Sequence, residues 1–239
     1  RIAVADTGNA RVQIFAADGT PTGEMAAVGS SPRAVAADPG GRLLVLDNTG
    51  VRLHDFVVGG PIAGSSFFPA RPGGGLAIGG PDLPGAEGDT VWISLRYDFD
   101  FLNGVRRLHL PSMATTGEWL DFAEGGGELV GPLRIAAGAP GDAAAFHVLD
   151  AWPRVLRFDA GGAFLDAGRD VGLRDLAPTV GGAFASYGTS LAFLPRGGAG
   201  TGWQRAPGGA VDGPPGWVGA LAYDAARDRL YAAELRAQR

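Results

Sequence analysis

The sequence lacks cysteine altogether, which excludes disulfide bonds, thiol catalysis and zinc–thiolate sites. Lysine is absent as well, so all 20 basic residues are arginine, a bias typical of GC-rich coding from which we expect a bacterial source. No apolar run reaches the roughly 18–20 residues of a membrane-spanning helix, and no signal peptide is visible. The chain begins with Arg1 rather than Met, so the sequence given does not decide whether a leader exists. We favour a periplasmic or extracellular location over the cytoplasm.

Motifs for the common catalytic sites are also missing. The three histidines, His54, His109 and His147, have no His-x-His or His-Glu-x-x-His spacing that would place two imidazoles at one metal. No Gly-x-Ser-x-Gly stretch is present, and the glycine runs at 73–75 and 125–127 lack the Lys and Ser/Thr of a phosphate loop. The net charge of −5, without a clustered basic face, makes nucleic acid an unlikely partner on electrostatic grounds.

Glycine and apolar residues are what the chain has in abundance. It contains 41 glycines and 17 prolines, yet 46% of its residues are hydrophobic. Disordered chains rich in glycine and proline lack that apolar content, so the combination predicts short buried strands joined by tight turns. No segment has an amphipathic helical period. We therefore expect an all-β fold.

A repeat runs through the chain. In each unit an acidic residue ends an apolar run, an arginine follows four or five residues later, and a phenylalanine follows four residues after that. The acidic, arginine and phenylalanine positions are Asp6, Arg11 and Phe15; Asp47, Arg52 and Phe56; Asp150, Arg154 and Phe158; and, where the chain ends, Glu234 and Arg239. We interpret the acid–arginine pairs as structural and the phenylalanines as core between repeats.

Four short strands per unit, labelled a to d in chain order, predict a β-propeller of four-stranded antiparallel blades. The first strands are expected near residues 33, 75, 133, 174 and 217, and the chain opens and closes on a second strand. We expect a single six-bladed domain over 1–239 that is truncated at both ends, in preference to a five-bladed one. Its predicted units are a partial blade 1–30, blades at about 31–72, 73–130, 131–172 and 173–215, and a partial blade 216–239.

The first copy, IAVADTGNARVQIFAADG at 2–19, resembles the NHL repeat almost throughout. Residues 33–56 and 145–165 match it less completely, and residues 218–239 match only at the strands and the acidic residue. The resemblance implies a β-propeller. It does not choose among functions, because propellers of this type serve as protein-binding, RNA-binding, sensor and enzyme domains.

The proposed binding residues lie where the repeat is interrupted. An insertion, RYDFDFLNG at 96–104, replaces a short b–c loop, and the connection at 59–75 lies at the same predicted end of the sheets. Exposed aromatic residues with a few charges are typical of recognition surfaces. The alternative is that these rings pack the loops onto the propeller rim. The binding candidates are Phe67, Phe68, Arg71, Tyr97, Asp98, Phe99, Asp100, Phe101 and Trp152.

We therefore expect a non-catalytic, monomeric propeller that binds a protein, peptide or glycan and needs no cofactor. The alternative is a metal-dependent hydrolase or lyase of the six-bladed, gluconolactonase-like type, with its site in the central channel. Against it, the predicted inner strands are apolar except at their ends. Asp98, Asp100 and Asn103 have the spacing of Ca²⁺ ligands, but the terminal glutamate of a full calcium loop is missing.

Overall fold

The computed structural model describes residues 1–27, 31–37, 42–54, 62–67, 72–79, 90–96, 103–110, 112–120, 128–138, 143–151, 154–169, 173–179, 182–187, 190–195, 204–205, 217–224 and 227–235. These residues form six antiparallel sheets. The first sheet contains β1 (Ile2–Asp6), β2 (Arg11–Phe15) and β3 (Pro21–Ala27). The second contains β4 (Ala34–Ala37), β5 (Leu43–Leu46), β6 (Gly50–His54) and β7 (Ile62–Phe67).

The next two sheets also have four strands each. The third contains β8 (Pro72–Ile78), β9 (Thr90–Arg96), β10 (Asn103–His109) and β11 (Ala114–Leu120). The fourth contains β12 (Pro132–Ala137), β13 (Phe146–Asp150), β14 (Arg154–Phe158) and β15 (Phe164–Arg169). The fifth contains β16 (Leu173–Thr179), β17 (Gly182–Tyr187), β18 (Ser190–Pro195) and β19 (Gln204–Arg205), and the sixth contains β20 (Trp217–Asp224) and β21 (Arg229–Leu235).

Each sheet is built from strands that are consecutive in the chain, and each strand pairs with the next. This is the arrangement of blades in a β-propeller, as the repeat predicts. In the described part of the chain the only helical segment is a single 3₁₀ turn at Thr7–Asn9. No described helix is long and apolar enough to cross a membrane.

The first strands of successive sheets lie side by side. Contacts join β4 to β8, β8 to β12, β12 to β16 and β16 to β20, so these are the inner strands of the propeller. Two of these strands approach closely at Gly75, where a Cβ atom would clash with the backbone of Arg134 and Ile135. Glycine is required there because two backbones approach where a side chain has no room.

The hydrophobic core lies between successive sheets rather than in one central layer. Separate clusters join the first sheet to the second, the second to the third, the third to the fourth and the fourth to the fifth. A middle strand such as β5 is therefore covered on both faces, and all four of its residues are buried. This explains why such strands read as continuous apolar runs instead of alternating patterns.

Aromatic rings fill the space between the third and fourth sheets. Trp92 is fully buried, with its ring 4.4 Å from that of Phe146, and Phe158 stacks on Phe146 at 5.1 Å. The repeated phenylalanine is thus core at Phe158, as predicted, while its counterpart Phe15 is only partly buried and Phe56 lies outside the described residues.

Candidate functional site

One of the predicted binding residues lies on a described strand: Phe67 is the last residue of β7. The predicted connection at 59–75 is therefore corrected, because residues 62–67 form the fourth strand of the second sheet and β8 begins at Pro72. The other candidates lie outside the described residues: Phe68, Arg71, Tyr97, Asp98, Phe99, Asp100, Phe101 and Trp152. The structure does describe the strand ends that flank their loops, which we call the loop roots. These strand ends define the surface from which the loops project.

The loop roots lie at one end of the sheets. In the second sheet Ala34, at the start of β4, pairs with Leu46, at the end of β5. In the fourth sheet Pro132, at the start of β12, likewise pairs with Asp150, at the end of β13. The start of each inner strand therefore lies beside the loop between the second and third strands. We call this end of the sheets the b–c end.

A buried carboxylate holds the b–c end of the fourth sheet. Asp150 is 1% exposed, and its Oδ1 accepts the backbone N–H groups of Gly131 and Ala151, both at 2.7 Å. Its Oδ2 accepts the N–H of Val130 at 3.0 Å and two donors of Arg154, at 3.1 and 2.9 Å. One side chain thus ties the chain entering β12 to the loop before β14, with charge-assisted hydrogen bonds.

The second sheet repeats this arrangement at Asp47. Its Oδ1 accepts the N–H groups of Thr49 and Gly50, at 2.7 and 3.2 Å, and the hydroxyl of Thr49 at 2.8 Å. Arg52 forms an ion pair with its Oδ2. Asp47 is fully buried, and its bonds to the backbone of its own loop and to Arg52 confirm the interpretation of this acid–arginine pair as structural.

The first sheet has the same kind of acid–arginine pair, Asp6 and Arg11, in a more exposed position. Arg11 donates from Nε to Oδ2 of Asp6 at 2.8 Å, and Asn9 donates to both oxygens, at 2.9 and 3.0 Å. These hydrogen bonds from Arg11 and Asn9 lower the pKa of Asp6 below its ordinary value. In the same loop the hydroxyl of Thr7 donates to the carbonyl of Pro32 at 2.6 Å, which joins the loop to the chain entering the second sheet.

A second kind of acidic position lies on the inner strands. Asp175 on β16 accepts the N–H of Leu221 on β20 at 2.7 Å, and Nε of Arg134 on β12 lies 3.9 Å from its Oδ1. The side chain is 13% exposed, and this burial raises the pKa of Asp175, against the lowering effects of Leu221 and Arg134. Asp175 therefore links three neighbouring inner strands.

These inner-strand charges correct the sequence prediction that the inner strands are apolar except at their ends. The fifth inner strand begins at Leu173, next to the expected start near residue 174, so Arg174 and Asp175 belong to it. An irregularity in pairing recurs at the same place in three sheets, between Pro132 and Arg134, Leu173 and Asp175, and Val218 and Ala220. Arg134, Arg174 and Asp175 lie at two of these bulges, and charged residues in otherwise apolar strands were the sequence feature that could have indicated this position.

Other candidate chemistry is scattered. His54, His109 and His147 lie on β6, β10 and β13, in three different sheets, as expected. Within the ranges that the structure describes, no three His, Asp or Glu side chains are grouped as metal ligands. Asn103 is buried on β10, and its predicted calcium-ligand companions Asp98 and Asp100 lie outside those ranges.

Comparison with known proteins supports the fold and leaves the family open. No family model matches the chain, and no curated protein matches it. The resemblance of 2–19 to the NHL repeat therefore stays a prediction.

Solved structures do match. Hydrazine synthase from Kuenenia stuttgartiensis superposes with a TM-score of 0.65 at 15% identity, covering 96% of this chain and 69% of that one. BBS1N, solved in complex with ARL6DN, matches with a TM-score of 0.61 at 12% identity, covering 97% and 69%. Regucalcin from Agrobacterium tumefaciens, described as a calcium-binding protein, matches with a TM-score of 0.56 at 11% identity, covering 92% and 73%. At such identities the likeness defines the class, a β-propeller, and nothing finer.

Proposed function

We propose that this chain is a non-catalytic binding module that recognises a protein, peptide or glycan at the b–c end of its sheets. The observation that carries the proposal is the bonding of Asp47 and Asp150. Both carboxylates are buried, and each is held by backbone N–H groups and an arginine. Carboxylates bonded in this way fix the loop roots and are not available as acids, bases or metal ligands.

A rigid frame that carries variable loops is a common basis for recognition, because the frame lowers the entropy lost when the loops bind. We propose that the segments between β7 and β8 and between β9 and β10, with Phe67 and Trp152, supply the contacts, through Phe68, Arg71 and the run from Tyr97 to Phe101. The aromatic residues would provide the apolar contact area, and Asp98 and Asp100 the polar contacts.

The experiment is a screen of the chain against a peptide-display library and a glycan array, followed by affinity measurements on the hits. Simultaneous replacement of Tyr97, Phe99 and Phe101 by alanine should abolish binding and leave the melting temperature nearly unchanged. The matched control is Leu165→Ala, which removes an apolar side chain that is 41% exposed on β15. If the triple variant binds normally, or loses much of its thermal stability, those rings do not form the recognition surface.

One observation favours the alternative, a channel-centred hydrolase or lyase. Asp175 is a buried carboxylate on an inner strand, and its pKa is raised by desolvation, as is common at catalytic sites. Thermal stability measured during titration with Ca²⁺ and with Zn²⁺ separates the two proposals. Stabilisation by either ion that disappears in Asp175→Asn would favour the enzyme. An unchanged melting temperature with both ions would favour the binding module.

A further inference from the structure

We propose that Asp175 and Ser186 form a proton-controlled switch within the fifth sheet. The charged carboxylate of Asp175 pairs with Arg134 of the fourth sheet, and the neutral carboxylic acid instead donates its proton to the hydroxyl of Ser186. This switch needs no ligand, so it goes beyond the proposed binding function and is tested separately from it.

Asp175 and Ser186 are paired residues of adjacent strands. Asp175 lies on β16, and its register partner on β17 is Ser186. Paired residues of antiparallel strands project their side chains to the same face, with Cβ atoms about 4.5–5.5 Å apart. That face is turned towards the sixth sheet, because Phe184, two residues before Ser186, has its ring 6.3 Å from the ring of Tyr223 on β20. The two side chains therefore share one interface.

The hydroxyl of Ser186 is a buried polar group. Ser186 is fully buried, and in the described part of the chain its Oγ has no hydrogen-bond partner. Ser94, a fully buried serine on β9, differs because its hydroxyl accepts the N–H of Gly75 at 3.1 Å and donates to the carbonyl of Gly75 at 3.4 Å. An unpaired buried hydroxyl costs free energy. The register places the carboxyl group of Asp175 beside it.

The carboxyl group of Asp175 has one oxygen without a close donor. Its Oδ2 accepts the N–H of Leu221 at 2.7 Å, whereas its Oδ1 lies 3.9 Å from Nε of Arg134, beyond hydrogen-bond distance. Desolvation raises the pKa of Asp175, against the lowering effects of Leu221 and Arg134. The neutral form is therefore populated at a higher pH than in an exposed aspartate.

The two neighbours of Oδ1 respond differently to the charge. A guanidinium group bonds strongly to a carboxylate and much less strongly to a neutral carboxylic acid. The hydroxyl of Ser186 can accept the proton of the acid or donate to the carboxylate, so it serves either form. Protonation therefore removes the attraction to Arg134 and leaves Ser186 as the better partner. The bond from the N–H of Leu221 persists in both forms, because a carbonyl oxygen also accepts it.

Other titratable or charged groups lie on the strands packed against β16 or at the same end of the sheets. They are Arg134 on β12, His147 on β13, Arg174 on β16 itself, Tyr187 on β17, Tyr223 on β20, Glu234 on β21 and Glu128 before β12. Among them, Arg134 is the group whose charge lowers the pKa of Asp175. Comparing serine variants with the wild type at one pH cancels the titration of these groups, because they are the same in both proteins.

The test is urea unfolding of the whole chain at pH 4 and at pH 8, with EDTA present so that divalent ions do not contribute. At pH 4 Ser186→Ala should raise the equilibrium constant for unfolding by about five-fold, because the neutral acid loses its acceptor. At pH 8 the same variant should be as stable as the wild type or more stable, because it removes a buried hydroxyl that has no partner.

Carbon-13 NMR of the Asp175 carboxyl group tests the two states directly. Ser186→Ala should lower the pKa of Asp175 towards 3.8, because the neutral form loses its partner. Arg134→Gln should raise the same pKa further, because the charged form loses its partner.

The matched control is Ser94→Ala, which removes a buried hydroxyl that is bonded to Gly75. It should lower stability by the same factor at both pH values. Asp175→Asn provides a second check, because its amide N–H donates to Ser186 at every pH. Adding Ser186→Ala to Asp175→Asn should therefore raise the unfolding constant by about five-fold at pH 4 and at pH 8 alike.

Equal effects of Ser186→Ala at pH 4 and pH 8, or an unchanged pKa of Asp175 in that variant, would overturn the inference. A pH dependence of Ser94→Ala as large as that of Ser186→Ala would also overturn it, because the effect would then not belong to Asp175. None of these outcomes decides whether the loops of the b–c end bind a ligand, so failure of the switch and failure of the proposed function are distinguishable.

Discussion

Asp150 is a buried carboxylate and Asp175 a largely buried one, and both lie close to an arginine, yet they are bonded very differently. Asp150 accepts three backbone N–H groups and two donors of Arg154. Asp175 accepts one backbone N–H, and Arg134 lies 3.9 Å away. The first carboxylate replaces its lost hydration with hydrogen bonds within a single sheet. The second is poorly compensated and joins three sheets near the channel.

The difference separates a structural position from a candidate functional one. A carboxylate whose oxygens are bonded to several backbone N–H groups and an arginine fixes the backbone around it. A carboxylate that is buried with few donors destabilises its charged form, and such positions are kept more often for function than for stability. We therefore assign a structural role to Asp150, and we treat Asp175, on the inner strands, as the candidate functional position.

We expect the largest loss of folding stability when the better-bonded carboxylate, Asp150, is removed. Asp150→Ala would leave Arg154 and three backbone N–H groups without their acceptor, which should lower the free energy of unfolding by about 3–5 kcal/mol. Urea denaturation monitored by circular dichroism measures this. The control is Asp166→Ala, which removes a carboxylate that is 53% exposed and paired with Arg157, and should cost less than about 1 kcal/mol. Equal losses in both variants would contradict the structural assignment of Asp150.

Sequence reasoning found the first carboxylate and missed the second for a physical reason. Asp150 and Arg154 belong to one hairpin and recur at the same spacing in other repeats, so pattern alone predicts their contact. Arg134 and Asp175 lie on inner strands of consecutive sheets, and only the stacking of those sheets brings them together. The insertion at 96–104 breaks the repeat, and for the same reason the repeat predicts nothing about its conformation.

Replacing Asp175 should change the free energy of unfolding by less than replacing Asp150, and in the opposite direction. Its pKa in the folded state is raised above the ordinary value of 3.8 by desolvation, with Arg134 acting against that rise, so the native state binds this proton more tightly than the unfolded state does. The stability that this group contributes is present at low pH and is lost as the pH rises from the unfolded pKa through the raised folded one. Asp175→Asn stays neutral and keeps an oxygen acceptor for the N–H of Leu221.

We therefore expect Asp175→Asn to be at least as stable as the wild type at pH 7, and its advantage to shrink as the pH falls towards 4. Denaturant unfolding of both proteins across this range measures the difference. Arg33→Gln is a suitable comparison, because it alters a charged residue at the b–c end without removing a carboxylate. A variant that is less stable than the wild type at pH 7 and equal to it at pH 4 would show that the charged form of Asp175 is stabilised by its surroundings.

The smallest loss of folding stability is expected when Asp6, the more exposed counterpart of Asp150, is replaced. The side chains of Asp6 and Arg11 are 24% and 37% exposed, so solvent already satisfies part of each group and the pair is screened. Asp6→Ala should therefore cost about 0.5–1 kcal/mol, well below the cost of Asp150→Ala.

The pH dependence of Asp6 should also be the reverse of that of Asp175. The hydrogen bonds from Arg11 and Asn9 lower its folded pKa below 3.8, so its contribution is present above the unfolded pKa and is lost as the pH falls through the lowered value. Asp6→Ala and the wild type should accordingly converge in stability on acidification below about pH 4. A loss as large as that of Asp150→Ala would mean that position in the repeat, rather than burial, sets the strength of these pairs.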